Sequence, residues 1–214
     1  RVLEIGCGKA EFLAAMCRIG NNEGIGIDPG SNPARLPASV KNRVTLICDF
    51  YSEAYSDIKA DFVCCRHTLE HIGPTRDFLL TVRKSMSSNP GAIAFFEVPD
   101  VLRVLRERAF WDIYYEHCSY FSMGSLARLF RSCGFDIIDL ELAFDNQYIL
   151  LTARPSAITE PKFDIERDLD DLRSNVAKFS FMVTEDLELW RRRMQAWSGA
   201  GRRVALWGAG SKSV

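Results

Sequence analysis

Short runs of apolar residues alternate, over the first 154 positions, with segments whose apolar residues recur every three or four positions. Short apolar runs predict strands, and the wider spacing predicts amphipathic helices. The predicted strands are Val2–Ile5, Gly24–Asp28, Val44–Cys48, Phe62–Cys65, Ala92–Glu97, Ile137–Leu142 and Tyr148–Thr152, and the predicted helices are Ala10–Ile19, Thr75–Ser85 and Met123–Ser132. Strands that alternate with helices indicate an α/β fold with a doubly wound, mostly parallel seven-stranded sheet. Since few residues separate the last two strands, we expect a final antiparallel strand.

The character of the chain changes after residue 154. "TARPSAITEPKF" contains two prolines and small polar residues, which is typical of a linker. Spacings of three and four then continue from Ile165 to Trp197, so residues 155–200 are predicted to be a linker and a long amphipathic helix. That helix either connects packed parts of one molecule or forms a homodimer. Residues 201–214 resemble the first strand and glycine loop of a second Rossmann-like domain, and domain 1–154 is expected to be truncated because it begins inside a strand.

Composition and charge narrow the classes of partner. The chain has 214 residues, 47% of them hydrophobic and 26% charged, with a net charge of −1. This balance gives no reason to expect nucleic acid or an anionic membrane as a partner, and no apolar run reaches the roughly 18 residues of a membrane span. The seven cysteines form no C-x-x-C pair. They are expected to be reduced, mostly buried thiols in a reducing compartment, which favours a cytoplasmic location.

A glycine loop follows the first predicted strand and opens a helix. Gly6 and Gly8 in "EIGCG" allow a tight turn and close approach of a ligand to the backbone. Asp28 ends the second strand about 20 residues later, where an acid can accept both ribose hydroxyls of an adenosine cofactor. Asp49 follows the third strand, where it can meet the adenine amino group, with Phe50 beside the ring. These positions predict an adenosine cofactor at the carboxyl ends of the strands.

Two further carboxylates indicate which adenosine cofactor binds. Glu4 precedes the glycine loop and Glu11 follows it. A dinucleotide would bring a pyrophosphate to this helix start, and carboxylates there would repel it. They suit instead the sulfonium and ammonium groups of S-adenosylmethionine.

Four motifs, in order along the chain, carry a family resemblance. "VLEIGCG", "GIGIDPG", "CDF" and "ADFVCCRHTLEHI" resemble the motifs of class I S-adenosylmethionine-dependent methyltransferases over residues 1–154. The resemblance implies that Gly6, Cys7 and Gly8 line the methionine part of the cofactor and that the backbone at Arg66 closes over it. It also implies that Asp28 holds the ribose, while Asp49 and Phe50 hold the adenine.

"HTLEH" at 67–71 fits the H-x-x-E-H signature of inverted zinc proteases, in which two histidines share one helix face. Its context argues against that interpretation, because the stretch follows a buried strand at the rim of the proposed cofactor site. No third ligand stands at a convincing spacing. We therefore expect no metal and assign this stretch to helix capping and pocket lining.

The segment "FWDIYYEHCSYFS" lies between the fifth strand and the next helix. A carbon nucleophile needs a proton removed before it can accept a methyl group, and a histidine of pKa about 6.5 suits that work. "YYEHCSYF", together with the later "WGAGSK", resembles the sugar C-methyltransferases, which act on nucleotide-linked 4-keto-deoxysugars. The resemblance implies Tyr114, Glu116 and His117 in the active site, with His117 as base. The structural alternative is a histidine packed among aromatic residues.

Several functions stay open at this point. We expect an S-adenosylmethionine-dependent methyltransferase that C-methylates a small carbonyl-bearing substrate such as a nucleotide sugar. An O- or N-methyltransferase is the first alternative, and "FDNQYILL" departs from the small residues that the sugar enzymes tend to have there. A second alternative, an NAD(P)-binding oxidoreductase, is less favoured, and the only motif that supports it is the partial glycine loop at 208–210. A non-catalytic module that binds the cofactor as a regulatory ligand is a further alternative.

Overall fold

The computed structural model describes residues 1–157, 160, 163–205, 207 and 208. Within this part of the chain, seven strands form a sheet of order β3-β2-β1-β4-β5-β7-β6. Their bounds are β1 Val2–Ile5, β2 Gly24–Ile27, β3 Val44–Ile47, β4 Phe62–Arg66, β5 Ile93–Pro99, β6 Phe135–Ala143 and β7 Tyr148–Pro155. β1 to β5 are parallel, and β7 runs antiparallel to both β5 and β6. The predicted fold class is confirmed, with β7 as the antiparallel strand.

The strand order reverses beside the central strand. From β1 the chain moves outward to β2 and β3, and then returns to β4 on the other side of β1. Open α/β sheets bind ligands where neighbouring connections diverge in this way, at the carboxyl ends of the strands. The fold therefore locates the candidate site above β1 and β4.

Helices cover both faces of the sheet. Alternate residues of β1 enter different cores, because successive side chains of a strand point to opposite faces. Val2 joins the core beneath the first helix, whereas Leu3 and Ile5 join the larger core on the other face. The helices are α1 Glu11–Arg18, α2 Thr75–Ser85, α3 Val101–Arg106, α4 Met123–Ser132 and α5 Leu169–Gly199.

The short helix α3 was not predicted. Its six residues span less than two turns, which is too short for a periodic pattern. The local signal is its cap, since the carboxylate of Asp100 accepts hydrogen bonds from the backbone amides of Leu102 (3.3 Å) and Arg103 (3.0 Å). This cap fixes the chain as it leaves β5, next to the candidate site.

The long helix α5 is confirmed, but it begins four residues later than the predicted Ile165. The preceding turn, Asp164–Glu166, docks on α4, where buried Glu166 pairs with Arg131 at 2.5 Å. The carboxylate of Asp168 accepts a hydrogen bond from the amide of Gly124 at 2.8 Å. These contacts hold the residues between the predicted linker and α5 against the sheet domain.

α5 itself packs against α3 and is joined to that region by ion pairs from Arg106 to Asp171 and from Arg108 to Asp186. Among the described residues, no helix has the length and apolar character to cross a membrane. Half of the residues assigned to the predicted second Rossmann-like domain, 206 and 209–214, lie outside the described residues. The proposed domain boundaries therefore stay predictions.

Candidate active site

The glycine loop after β1 approaches other parts of the chain closely on one side and faces open space on the other. Gly6 has φ +73°, and a Cβ built there would lie 2.0 Å from Thr68 Oγ1. Gly8 has φ +51°, and a Cβ there would meet nothing within 4 Å. Glycine is thus required at position 6 by both conformation and packing, whereas at position 8 it leaves the backbone bare at the mouth of a cleft.

This cleft has a volume of about 490 Å³ and follows the carboxyl ends of β1 to β4. Five of the predicted cofactor residues line it, and most of its remaining wall is apolar or aromatic. The predicted residues at the cleft are Gly6, Gly8, Asp28, Asp49 and Phe50, and the others include Ile5, Ile27, Tyr51, His67, Thr68, His71, Ile72 and Phe78.

Asp28 is held rigidly at the end of β2. One carboxylate oxygen accepts a hydrogen bond from the amide of Gly8 (2.9 Å), and the other accepts from the amide of Gly30 (2.7 Å). Each carboxylate oxygen can accept a second hydrogen bond, so the group can still bind a pair of ligand hydroxyls. The first of these bonds also fixes the glycine loop relative to β2.

The far end of the cleft combines an acid with aromatic rings. Tyr55 donates a hydrogen bond to Asp49 at 2.5 Å, and this bond lowers the pKa of Asp49. Phe50 is 73% exposed at the rim, while Tyr51 contacts Phe78 edge to face at 5.9 Å. A flat heteroaromatic ring with an amino group would find apolar surface and a charged acceptor here.

A second, smaller cavity of about 70 Å³ lies between α3, β7 and the segment that precedes α4. Tyr114 and His117 both line it, together with Asp112 and Tyr148. A turn brings the two predicted residues together: the amide of His117 donates to the carbonyl of Tyr114 at 3.2 Å, and the ring centroids lie 5.0 Å apart. The predicted chemistry segment therefore does supply cavity walls.

The comparisons with known proteins agree with this arrangement. A sequence profile described as "Methyltransferase domain" matches residues 1–140. The chain belongs to this methyltransferase family. It is also 30% identical over 162 residues to "C-methyltransferase NovU" of Streptomyces niveus, a match that covers 73% of this chain and 38% of that protein. The chain thus spans less than two fifths of the length of this relative.

Solved structures show that the fold of this methyltransferase domain is shared. An O-methyltransferase family protein from Burkholderia thailandensis superimposes with a TM-score of 0.58 at 15% identity, covering 72% of this chain and 50% of that one. The 1,6-didemethyltoxoflavin-N1-methyltransferase of the same organism was solved with bound 1,6-didemethyltoxoflavin and S-adenosylhomocysteine. It gives a TM-score of 0.55 at 16% identity, and the match covers 72% of this chain and 70% of that one. The predicted class I methyltransferase fold is therefore confirmed.

Family and fold imply S-adenosylmethionine, and the residues at the cleft of the methyltransferase domain fit it. The unobstructed backbone at Gly8 leaves the space that a Cβ would fill, and Asp28 presents acceptors beside it. The rings around Asp49 suit the adenine end. The cleft thus offers a suitable group for each part of S-adenosylmethionine, from the methionine portion to the adenine.

Glu4 lies behind the cleft rather than in it, which corrects the expectation that its carboxylate faces the sulfonium. It shares the β1 face of Val2, so it points under α1, where it accepts a hydrogen bond from the amide of Leu13 at 3.1 Å. Burial raises the pKa of Glu4 to about 7, although the charge of Arg66 opposes the shift. Its observable role is to hold the start of α1 against β1.

The side chains of Cys7 and Arg66 also point away from the cleft. Cys7 packs under α1, and burial raises the pKa of its thiol to about 12. Arg66 stacks over the ring of Phe12 and donates a hydrogen bond to Glu97 at 2.5 Å. Only their backbones can border the cofactor, as the resemblance implied for Arg66.

Glu97, which was not predicted from the sequence, supports the cleft wall from behind through its contact with His67. It is buried at the end of β5 and bridges Arg66 and His67, whose Nε2 lies 3.0 Å from its carboxylate. Burial would raise the pKa of Glu97, but hydrogen bonds and charges from His67 and Arg66 outweigh it and lower the pKa. His67 is held at φ +48°, a strained conformation for a non-glycine residue, with its ring 4.6 Å from that of Tyr148. The one sequence feature that could have indicated Glu97 was its position as a carboxylate at the end of the predicted fifth strand.

Glu116 is exposed and does not line the cavity, contrary to the expectation that it flanks His117 there. Because the chain turns from Tyr114 to His117, these two residues point inward while Tyr115 and Glu116 occupy the outer corner. Glu116 instead contacts His71 through its backbone carbonyl oxygen, which lies 3.2 Å from His71 Nδ1.

His117 and His71 meet where the cleft and the cavity adjoin. Their ring centroids are 4.8 Å apart in an edge-to-face contact, and His71 belongs to the cleft wall. Burial lowers the pKa of His117, and His71 lowers it further, whereas Glu116 and Asp112 act in the opposite direction. The lowered pKa favours the neutral form of this imidazole.

Proposed function

We propose that this domain uses S-adenosylmethionine to C-methylate a small carbonyl-bearing substrate, such as a nucleotide-linked keto-deoxysugar. The observation that carries the proposal is the position of half-buried His117 on the wall of a cavity that adjoins the cofactor cleft. The name of the relative NovU, a C-methyltransferase at 30% identity, supports the same reaction class. Cytoplasmic location and a homodimer stay predictions.

The residues of the cleft have separate roles in this proposal. Asp28 binds the ribose hydroxyls, because its carboxylate is fixed by two amides and keeps free acceptor positions. Asp49 and Phe50 bind the adenine, and the backbone of Gly6 to Gly8 borders the methionine portion. S-adenosylmethionine, when bound, supplies an electrophilic methyl group.

The chain itself supplies the proton chemistry. An imidazole nitrogen of His117 removes a proton from the substrate carbon next to the carbonyl, so that a C–H bond breaks and an N–H bond forms. The electron pair left on the substrate would then form the new carbon–carbon bond to the methyl group, as the bond between the methyl carbon and sulfur breaks and S-adenosylhomocysteine leaves. Tyr114 shares the cavity wall with His117, and its hydroxyl can donate a hydrogen bond to the developing enolate oxygen.

O- or N-methylation is the second candidate, since solved structures with the same fold include proteins named for both reactions. An oxygen or nitrogen nucleophile needs less help from a base than carbon does. The two candidates therefore differ in how strongly turnover depends on His117.

The test uses S-adenosylmethionine with a ¹³C-labelled methyl group and a panel of nucleotide-linked 4-keto-deoxysugars. C-methylation would give a product methyl signal in the carbon-bound region of the NMR spectrum, and H117N would abolish it. Tyr115→Ala is the matched control, because Tyr115 is fully exposed in the same turn. Methylation at oxygen or nitrogen, or full turnover of H117N with S-adenosylhomocysteine binding unchanged, would refute the proposal.

A further inference from the structure

Three potential metal ligands converge between the cleft and the cavity. Glu70, His71 and His117 each offer a donor atom, and these atoms all lie within 4.8 Å of one another. The first two belong to the turn Leu69–His71 that follows β4, and the third ends the turn that begins at Tyr114. Two segments far apart in sequence are thus joined at one cluster.

Glu70 is the unusual member of the cluster. It is only 2% exposed, and its Oε2 has no hydrogen-bond partner among the described residues. Burial raises the pKa of Glu70, opposed by its own backbone amide and by the charges of His71 and His67. A buried carboxylate oxygen without a partner is costly, and a bound cation would remove that cost.

The surrounding hydrogen bonds hold the cluster together. The carbonyl of Glu70 accepts hydrogen bonds from the amides of Cys118 (2.7 Å) and Ser119 (3.1 Å), which fixes the segment of His117 to the turn of Glu70. His71 Nδ1 lies 3.2 Å from the carbonyl of Glu116. In the tautomer that donates this bond, Nε2 keeps its lone pair, as metal-binding histidines usually do.

We propose that Glu70, His71 and His117 form a binding site for a divalent transition-metal ion of the zinc type. Two imidazoles and a carboxylate are a donor set that zinc accepts, with a fourth position left for water. The site differs from the H-x-x-E-H signature, because His67 is engaged by Glu97 instead. At bond lengths of about 2.1 Å the donors of a tetrahedral ion lie roughly 3.4 Å apart, so the two turns would close slightly on binding.

Metal bound here would occupy the lone pair of His117. If the proposed function holds, zinc therefore inhibits methyl transfer reversibly, and EDTA restores it. Inhibition by zinc rests on the proposed function, whereas zinc binding does not. An experiment can therefore refute the metal site without refuting the proposed methyl transfer, and the reverse.

The binding test needs neither cofactor nor substrate. Chelator-treated protein is titrated with Zn²⁺ against a chromophoric competitor, and we expect one site per chain. E70Q, H71N and H117N should each weaken binding by at least about tenfold, since loss even of an outer partner of a ligand costs 10–100-fold. H67N is the matched control and should bind as the wild type does. Circular dichroism checks that each variant is folded.

Three outcomes would overturn the site. The wild-type protein could bind no stoichiometric zinc, or H117N could bind zinc as well as the wild type does. The third is loss of binding in C118S, which would assign the metal to the exposed thiol of Cys118. Cobalt distinguishes the two ligand sets, because thiolate ligands add an intense near-ultraviolet charge-transfer band that nitrogen and oxygen ligands lack.

Discussion

Adding one methyl group at Gly6 tests the packing of the glycine loop. In Gly6→Ala the new Cβ would lie 2.0 Å from Oγ1, 2.5 Å from Cγ2 and 2.7 Å from Cβ of Thr68. The left-handed backbone at φ +73° costs an L-residue about 1–2 kcal/mol. Overpacking a filled site adds about 1–3 kcal/mol. Together the free energy of unfolding should fall by roughly 2–5 kcal/mol.

Gly8→Ala is the matched control, because it carries the left-handed cost without the clash. Its free energy of unfolding should fall by only about 1–2 kcal/mol. Its Cβ would instead enter the open cleft, so affinity for S-adenosylhomocysteine should fall by at least about tenfold, equivalent to about 1.4 kcal/mol. Urea unfolding and calorimetric titration measure the two quantities.

A double mutant identifies the clash directly. Thr68→Ala removes the two nearest of the clashing atoms and loses the hydrogen bond from Thr68 to the Arg66 carbonyl, worth about 1 kcal/mol. Gly6→Ala combined with Thr68→Ala should therefore be more stable than the sum of the single changes predicts, by more than about 0.5 kcal/mol. Additive changes, or equal costs at Gly6 and Gly8, would refute the close approach.

Three further predictions concern charged groups. Folding raises the pKa of Glu4 from 4.5 to about 7. The wild type should therefore lose roughly 3 kcal/mol of stability relative to E4Q as pH rises from 4.5 to 7.5. A stability difference between the two proteins that does not change with pH would contradict this. E97Q leaves Arg66 and His67 without their carboxylate and should cost about 1–3 kcal/mol at pH 7. Since folding lowers the pKa of Glu97 from its usual 4.5, that cost should shrink as pH falls below 4.5, which acid titration of both proteins would check. Asp28→Asn replaces one carboxylate oxygen by an NH₂ group that cannot accept a hydrogen bond from the backbone N–H of Gly8 or Gly30. The affinity for S-adenosylhomocysteine should therefore fall at least about tenfold. Unchanged affinity would exclude Asp28 from the cofactor site.

The strands were predictable because each is a short apolar run whose ends are marked by charged or turn-forming residues. The largest shift of a strand end is in β7, which continues to Pro155 because the hairpin pairs it with Phe135 of β6. The position of Asp28 and Asp49 at one edge followed from parallel topology, since the carboxyl ends of neighbouring parallel strands meet. Glu4 pointed elsewhere for an equally local reason, the alternation of side chains along β1.

The contact between His71 and His117 could not be predicted in the same way. The two residues lie in separate turns, and only the backbone hydrogen bonds from Cys118 and Ser119 to Glu70 bring those turns together. Local sequence patterns specify elements, whereas pairings between irregular segments depend on tertiary contacts. The turn at Tyr114 likewise decided that His117, and not Glu116, lines the cavity.

The most direct measurement is exchange of the substrate proton. Nucleotide-linked 4-keto-deoxysugars are incubated in D₂O with the protein and S-adenosylhomocysteine, which cannot donate a methyl group, and deuterium at the carbon beside the carbonyl is followed by NMR. The account predicts exchange above the protein-free rate with the wild type and with Tyr115→Ala, and none above that rate with H117N. Exchange that persists in H117N would contradict it. So would a wild type that shows no exchange here but methylates the same sugar when S-adenosylmethionine is supplied.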